Sequence, residues 1–344
     1  MISRLFNKFI NDRNLSSSTE KGYYSALKSY SDFHKESLEY LINEAKEDES
    51  EGIPLKERKI KGRLLQYRNY LLKHNNSSNT VKTYFTKVKT FYTHYEIELP
   101  VLPDVKYKKE YETNYYDLPT KEHLRLVIDK YDILVRCLVL FMSSSGTAKA
   151  ETLSLTVEDW IKGCRDYYNP TITDLKVILN ELSKKDEIVP TLYLRRIKTD
   201  KYYYTFCSPE ASKEIIKYLR TRPNLKLNDS LFEIKSSTLL TRFQEINDEN
   251  GWGFKGKYRF FRSHALRKYH ASNLGISAEY IDALQGRSKN QIHSTYIKTN
   301  PDKLKKIYMD NMKNVMINND EKIVKQEFTI VINVFLSGQE YNIF

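Results

Sequence analysis

The chain has 344 residues, with 56 Lys and Arg against 44 Asp and Glu, a formal charge of +12, and 40% apolar residues. That length suggests two domains with ordinary buried cores. No run approaches the ~18 uncharged apolar residues of a membrane span. The opening MISRLFNKFINDRN alternates charged and apolar residues where a secretion signal needs a continuous apolar core, which predicts a cytoplasmic protein. Cys137, Cys164 and Cys207 are widely spaced, odd in number and form no C-x-x-C pair. They are expected to be reduced, mostly buried thiols with no disulfide or metal role. The positive balance points to a polyanionic partner, most simply a phosphate backbone. An AT-rich genome, favouring Lys, Asn, Ile and Tyr, gives the same bias without selection.

Residues 1–99 read as helical. Ser17 followed by Glu20 predicts a capping box, ahead of a run that carries Tyr23, Tyr24, Leu27, Tyr30 and Phe33 at helical spacing. The charged stretch EAKEDESEGIPLKERK reads as an exposed loop. A second helix is expected around Leu64 to Leu72, ended by His74, Asn75 and Asn76. Ser78 opens a third, in which Val81, Phe85, Val88 and Tyr92 form one stripe and Lys82, Lys87 and Lys89 lie off it. Those lysines are either a solvated face or a face offered to DNA phosphates. Residues 100–117, with Pro100, Pro103 and many tyrosines, read as a linker.

A second domain is expected over 118–313. Thr120 is a candidate N-cap, ILVRCLVLFM (133–142) a buried helix, and SSSGTAKAETLSL a turn at Gly146 into another. LYLRRI and YYYTFC flank the turn Lys198-Thr199-Asp200-Lys201, which predicts a β-hairpin. Pro209 and Glu210 open a helix through Tyr218, and several more follow to about 313. In the tail, 314–344, EFTIVINVFL alternates as a late strand.

Several chemically apt residues recur in a telling order. His264 and Arg267, in HALR at the start of a helix, share one face through i, i+3 spacing. Arg287 follows in LQGRS, and Tyr296 stands nine residues later in HSTYIKT. Lys198 precedes them at the hairpin tip. The set resembles the tyrosine recombinase, or phage integrase, family: a first basic residue, a hairpin lysine, H-x-x-R, then His, Trp or Arg, and a tyrosine. RRIKTDKYYYTFCSPEA and the arginine of LQGRS are similar to archaeal-type members.

The resemblance covers nearly the whole chain. It implies a mainly α (α+β) fold, with a helical SAM-like core-binding domain and a mixed α/β catalytic domain holding a small antiparallel hairpin. The implied activity is site-specific DNA recombination or integration, as by a virus or mobile element. Tyr296 would become joined to a DNA 3′-phosphate, the 5′-hydroxyl would leave, and rejoining would need no ATP, metal or cofactor. Arg267 and Arg287 would clamp the phosphate, His264 would assist proton transfer, and Lys198 would act as general acid. Charge builds on the non-bridging oxygens during such a transesterification, and preorganised cations stabilise it; the arginine fork donates two hydrogen bonds to phosphate. A tyrosine of pKa ~10 needs nearby cations or a base to attack at neutral pH. The implied partners are double-stranded DNA and further copies of the chain, as a homotetramer on two duplexes in the cytoplasm or nucleoid, with no membrane or small-molecule substrate. The tail strand would pack on a neighbouring protomer or in cis.

Three alternatives stand inside the pattern. Tyr308, in KKIYMDN, lies 21 residues past Arg287 and competes with Tyr296. Lys201 competes with Lys198, although it begins the return strand, and is also a candidate DNA contact. The family's first arginine, after the glycine turn, is absent from Gly146-Thr147-Ala148-Lys149-Ala150-Glu151. One register places Lys149 there and another Ala148; Lys149 is preferred because it keeps a cation near the phosphate. Losing one such contact slows chemistry by ~10²–10³. The chain is therefore expected to be a recombinase, impaired to the extent that Lys149 does not replace the arginine, with a catalytically weakened or inactive DNA-binding relative and a type IB topoisomerase-like enzyme as alternatives. Glu151 either orients a neighbouring cation or is a helix-surface carboxylate.

Overall fold

In the computed structural model, residues 4–74, 76–107, 109, 111–287 and 300–318 are described. The chain divides into two units, Met1–Tyr111 and Glu112–Phe344. The first is built from α1 (Arg4–Asp12), α2 (Ser17–His34), α3 (Leu38–Ser50), α4 (Lys59–Lys73) and α5 (Ser78–His94). Its core is aromatic: Phe9, Tyr30, Tyr67, Phe91 and Tyr92 are buried together with Leu64, Val81 and Val88. Packing of α2 on α5 brings the Tyr30 and Tyr92 hydroxyls within 3.0 Å, so the polar tips of two buried rings satisfy each other.

Two local expectations fail here. The N-cap of α2 is Ser16, not Ser17. Ser16 is the last extended residue, which makes Thr19 the third helical position; Ser16 Oγ meets Thr19 Oγ1 at 3.0 Å, and the Ser17–Glu20 box does not form. The charged stretch is not an exposed loop throughout, because α3 runs to Ser50 and buries Glu44 and Asp48. Both carboxylates are buried with partners on α4. Arg63 Nε and Nη2 donate to Glu44 at 3.0 and 2.8 Å, and the Lys59 amide donates to Asp48 at 2.6 Å. That amide opens α4, so Asp48 satisfies one of the helix's orphan donors. α4 consequently starts five residues before Leu64.

The second unit contains α6 (Lys121–Lys130), α7 (Ile133–Ser145), α8 (Lys149–Ser154), α9 (Val157–Gly163) and α10 (Leu175–Leu182). The hairpin β1 (Leu192–Arg196) and β2 (Lys201–Thr205) follows, then α11 (Pro209–Thr221) and α12 (Ser236–Glu249). A two-residue-long pair, β3 (Phe254–Lys255) and β4 (Tyr258–Arg259), precedes α13 (Ser263–Asn273), α14 (Ala278–Leu284) and α15 (Pro301–Asn311). The apolar run of α7 is buried on nearly every side, with α6, α11 and α13 packed around it. A helix apolar all round needs such enclosure. β1 and β2 pair antiparallel, with Leu192 opposite Thr205, Leu194 opposite Tyr203 and Arg196 opposite Lys201. Leu192, Leu194, Tyr203 and Thr205 are buried, while Tyr193 and Tyr202 stack on the outer face at 5.2 Å. The three cysteines are free and buried, and burial holds the Cys164 and Cys207 thiols well above the ordinary range. Among the described residues no helix is long and apolar enough to cross a membrane. The proposed late strand of the tail lies outside the described residues.

Candidate active site

Arg267 is the centre of the site. It lies one turn into α13 and is 4% exposed. Its Nη1 donates to Gly146 O at 2.6 Å and its Nη2 to Gln285 O at 2.7 Å. Those two carbonyls belong to the turn after α7 and the end of α14, so one guanidinium pins three elements together. Burial, with help from Arg287 and Arg196 and against the pull of Tyr203 and Glu151, draws its pKa down to about 10. It stays charged at neutral pH.

The turn at Gly146 depends on glycine. Its φ is +67°, and an added Cβ would lie 2.5 Å from His270 Nδ1 and 2.8 Å from Gln285 Nε2. That absent methyl is what lets α13 and the Gln285 side chain close on the turn. Gln285 Nε2 donates to Arg267 O at 3.0 Å and meets His270 Nδ1 at 3.1 Å. His270 is fully buried and is driven down to about 3, by burial first and then by Arg267 and Arg287. It is therefore a neutral structural imidazole beneath the arginines.

The hairpin closes the other side. Arg196, the last residue of β1, donates from Nη1 to Gly286 O at 2.6 Å and reaches Gln285 O at 3.5 Å. Gly286 has a φ of +60°, and a Cβ there would sit 2.6 Å from the Tyr203 ring. Arg287 comes next, exposed, with its amide donating to Asp282 O at 2.7 Å and its guanidinium 3.9 Å from the Asp282 carboxylate. Tyr203 is buried, and that burial raises its pKa, with Glu151 adding to the rise and Arg267 and Arg196 opposing it.

The other expected residues are placed less uniformly. His264 is exposed as a whole, yet its pKa falls, through loss of water first and then through the charges of Lys268, Arg262, Arg267 and Arg287. His264, Arg267 and Arg287 thus act on one another. Lys149 is the first residue of α8 and half-buried, Ala148 is the N-cap, and Glu151 is buried with Oε2 accepting from the Ala148 amide at 2.9 Å. Lys198 is exposed in the turn, and Lys201 sits opposite Arg196 in the ladder. Tyr296 lies outside the described residues. Its competitor Tyr308 is wholly buried in α15, where its hydroxyl donates to Ser144 O at 3.0 Å; such a phenol is a core group. Sequence reasoning missed Arg196, Gln285 and His270. Strand alternation carried a signal for the first, since Arg196 falls two residues after the buried Leu194.

In the first unit, α5 separates the three lysines. Lys82 and Lys89 stand seven residues apart and line one groove with Arg68 and Thr86. Lys82 Nζ lies 4.6 Å from the Tyr107 ring centre. Lys87 turns elsewhere, 5.4 Å from the Tyr23 ring, over Gly22, and burial lowers its pKa.

No protein-family model and no curated protein matches the sequence. Solved structures do. A lambda integrase(75-356) dimer bound to a COC′ core site aligns with a TM-score of 0.51 and 14% identity, over 85% of this chain and 92% of that one. A lambda integrase tetramer bound to a Holliday junction gives 0.49 and 12%, over 85% and 75%. The XerA recombinase gives 0.38 and 17%, over 89% and 96%. Identities this low speak to fold alone. The chain is mainly helical with small antiparallel sheets, in the fold of the lambda integrase it matches at 0.51.

Proposed function

We propose that this chain cuts and rejoins double-stranded DNA as a tyrosine-type site-specific recombinase or integrase, of the archaeal type suggested by Arg287. The carrying observation is the buried Arg267 guanidinium, whose N–H groups go to two backbone carbonyls instead of a carboxylate, with Arg287, Arg196 and His264 acting on it or beside it. A cluster in which Arg267, Arg287 and Arg196 outnumber the nearby carboxylates of Glu151 and Asp282 is complementary to a phosphodiester that gains charge in its transition state. In this reading residues 1–99 are the core-binding domain and 118–313 the catalytic one.

Each group then has a role. The Tyr296 hydroxyl gives its proton to a base, for which neutral His264 is suited. Its oxygen bonds to phosphorus as the bond to the 5′ oxygen breaks, and Lys198 gives that oxygen a proton. Arg267 and Arg287 hold the non-bridging oxygens. The phosphotyrosyl link keeps the bond energy, so reversal on a second strand rejoins DNA without ATP. Recombination between two duplexes uses a homotetramer. DNA as partner is supported by the lambda integrase of like fold, which was solved on a core site.

The test is a nicked suicide duplex, followed by denaturation and peptide mapping. A covalent adduct on the peptide holding Tyr296 is expected, abolished by Tyr296→Phe with DNA binding nearly intact. Adducts at wild-type level in that variant would overturn the assignment. One observation favours a weakened or inactive DNA-binding relative, the absence of arginine at 148 and 149; no adduct from the wild type would select it. Strand exchange between two marked duplexes separates a recombinase from a topoisomerase-like enzyme, which relaxes one duplex only.

A further inference from the structure

We infer that Arg196, at the end of β1, contacts the scissile phosphate beside Arg267 and Arg287 and supplies the guanidinium that the segment after Gly146 lacks. This rests on the function proposed above and adds a residue to it.

The placement follows from strand geometry. Side chains alternate along β1, so Arg196 extends the face of Leu192 and Leu194, both buried, while Arg195 points away and pairs with Asp200 in the turn. The inward face leads Arg196 to the peptide of Gln285 and Gly286. Arg267 binds that same peptide. Both guanidinium groups reach a single carbonyl oxygen, Gln285 O, at 3.5 Å from Arg196 and 2.7 Å from Arg267.

Two like charges on one oxygen is an arrangement that folding alone does not favour. Among the described residues no carboxylate pairs with Arg196, and the hydrogen bonds it makes to them, both to carbonyls, use Nη1 and not Nε or Nη2. Nε and Nη2 remain, the edge with which arginine meets phosphate in a two-pronged contact. Arg267 spends a nitrogen on each of two carbonyls and is almost completely buried; Arg196 is half-buried and so reachable. The same side chain also ties the lysine-bearing hairpin to the residue preceding Arg287. An anion bound between Arg196 and Arg267 would relieve their repulsion. Lys149, with its single point charge, cannot replace the fork.

A structural role and a phosphate contact are separated by changing the phosphate. Adduct formation is timed on two suicide duplexes, one with an ordinary scissile phosphate and one with a methylphosphonate, which lacks a non-bridging negative charge. Arg196→Ala should slow the ordinary duplex by ~10² and the methylphosphonate duplex by less than a few-fold, because the charge it neutralises is gone. Arg196→Lys, which keeps the charge and loses the fork, carries the same comparison should the alanine variant not fold. An unchanged rate on the ordinary duplex overturns the inference. So does an equal defect on both duplexes, which marks a residue that only holds the hairpin in place. A wild type that forms no adduct on either duplex sinks the proposed function itself; adducts that form and ignore residue 196 sink only the role given to Arg196.

Discussion

At the scale of single residues, the site is assembled by backbone acceptors and missing methyl groups. Gly286 shows this most plainly. Alanine there would hold a left-handed φ and place its Cβ 2.6 to 2.9 Å from three Tyr203 ring atoms. Left-handed backbone costs roughly 1–2 kcal/mol, and overpacking roughly 1–3 more. Gly251 is the control, with φ +65° and nothing within 4 Å of an added Cβ. In chemical denaturation, Gly286→Ala should cost about 2 kcal/mol more than Gly251→Ala; equal losses would mean that Tyr203 does not press on the turn carrying Arg287. Lys149 gives a second prediction. If Arg196 already supplies the missing fork, Lys149→Arg should raise the adduct rate less than about tenfold. A gain of ~10²–10³, the size of a restored transition-state contact, would show an uncompensated gap.

At the scale of elements, α5 sorts three lysines that look alike in the sequence. Seven residues is nearly two turns, so Lys82 and Lys89 share a face with Thr86, while Lys87 leans on Tyr23. Each phosphate contact contributes about 0.9 to the slope of log binding constant against log salt. The pair Lys82→Ala and Lys89→Ala should therefore lower that slope by roughly 2, and Lys87→Ala should leave it nearly unchanged while reducing stability. A salt titration in which Lys87 matters most would reverse the reading. Elements whose apolar pattern decides their packing were legible in advance: α7, the β1–β2 hairpin and the helix of His264 and Arg267. α3 was not, because its buried Glu44 and Asp48 read as solvent-facing unless Arg63 and the Lys59 amide on a separate helix are known. Gln285 and His270 escaped for a related reason. They are bound to a main-chain carbonyl and to each other, and main-chain acceptors leave no mark on a sequence.

At the scale of the whole molecule, each unit hides a histidine that folding keeps neutral. In the first, His34 Nε2 meets Arg63 O at 3.2 Å and its Nδ1 faces Arg63 Nη1 at 3.4 Å; burial and then the Arg63 charge take it to about 4. In the second, burial and then Arg267 and Arg287 take His270 to about 3. Both values lie below the ordinary 6.5, so the unfolded chain binds the proton first as pH falls. The stability linked to them is complete above pH 6.5 and is lost on acidification, down to about pH 4 for His34 and about pH 3 for His270. Within its window a fully linked group contributes a slope of about 1.4 kcal/mol per pH unit. His34 is half-buried, and solvent screening reduces its share. Carboxylates titrate in the same range, so the slope is best read as a difference between wild type and variant. His270→Asn keeps an acceptor for Gln285 and removes the titration. It should lower stability at pH 7 and, between pH 6 and 4, flatten the second unit's stability curve by about 1 kcal/mol per pH unit. Parallel curves for variant and wild type would mean that His270 titrates alike folded and unfolded, and that water reaches the ring that the fold encloses.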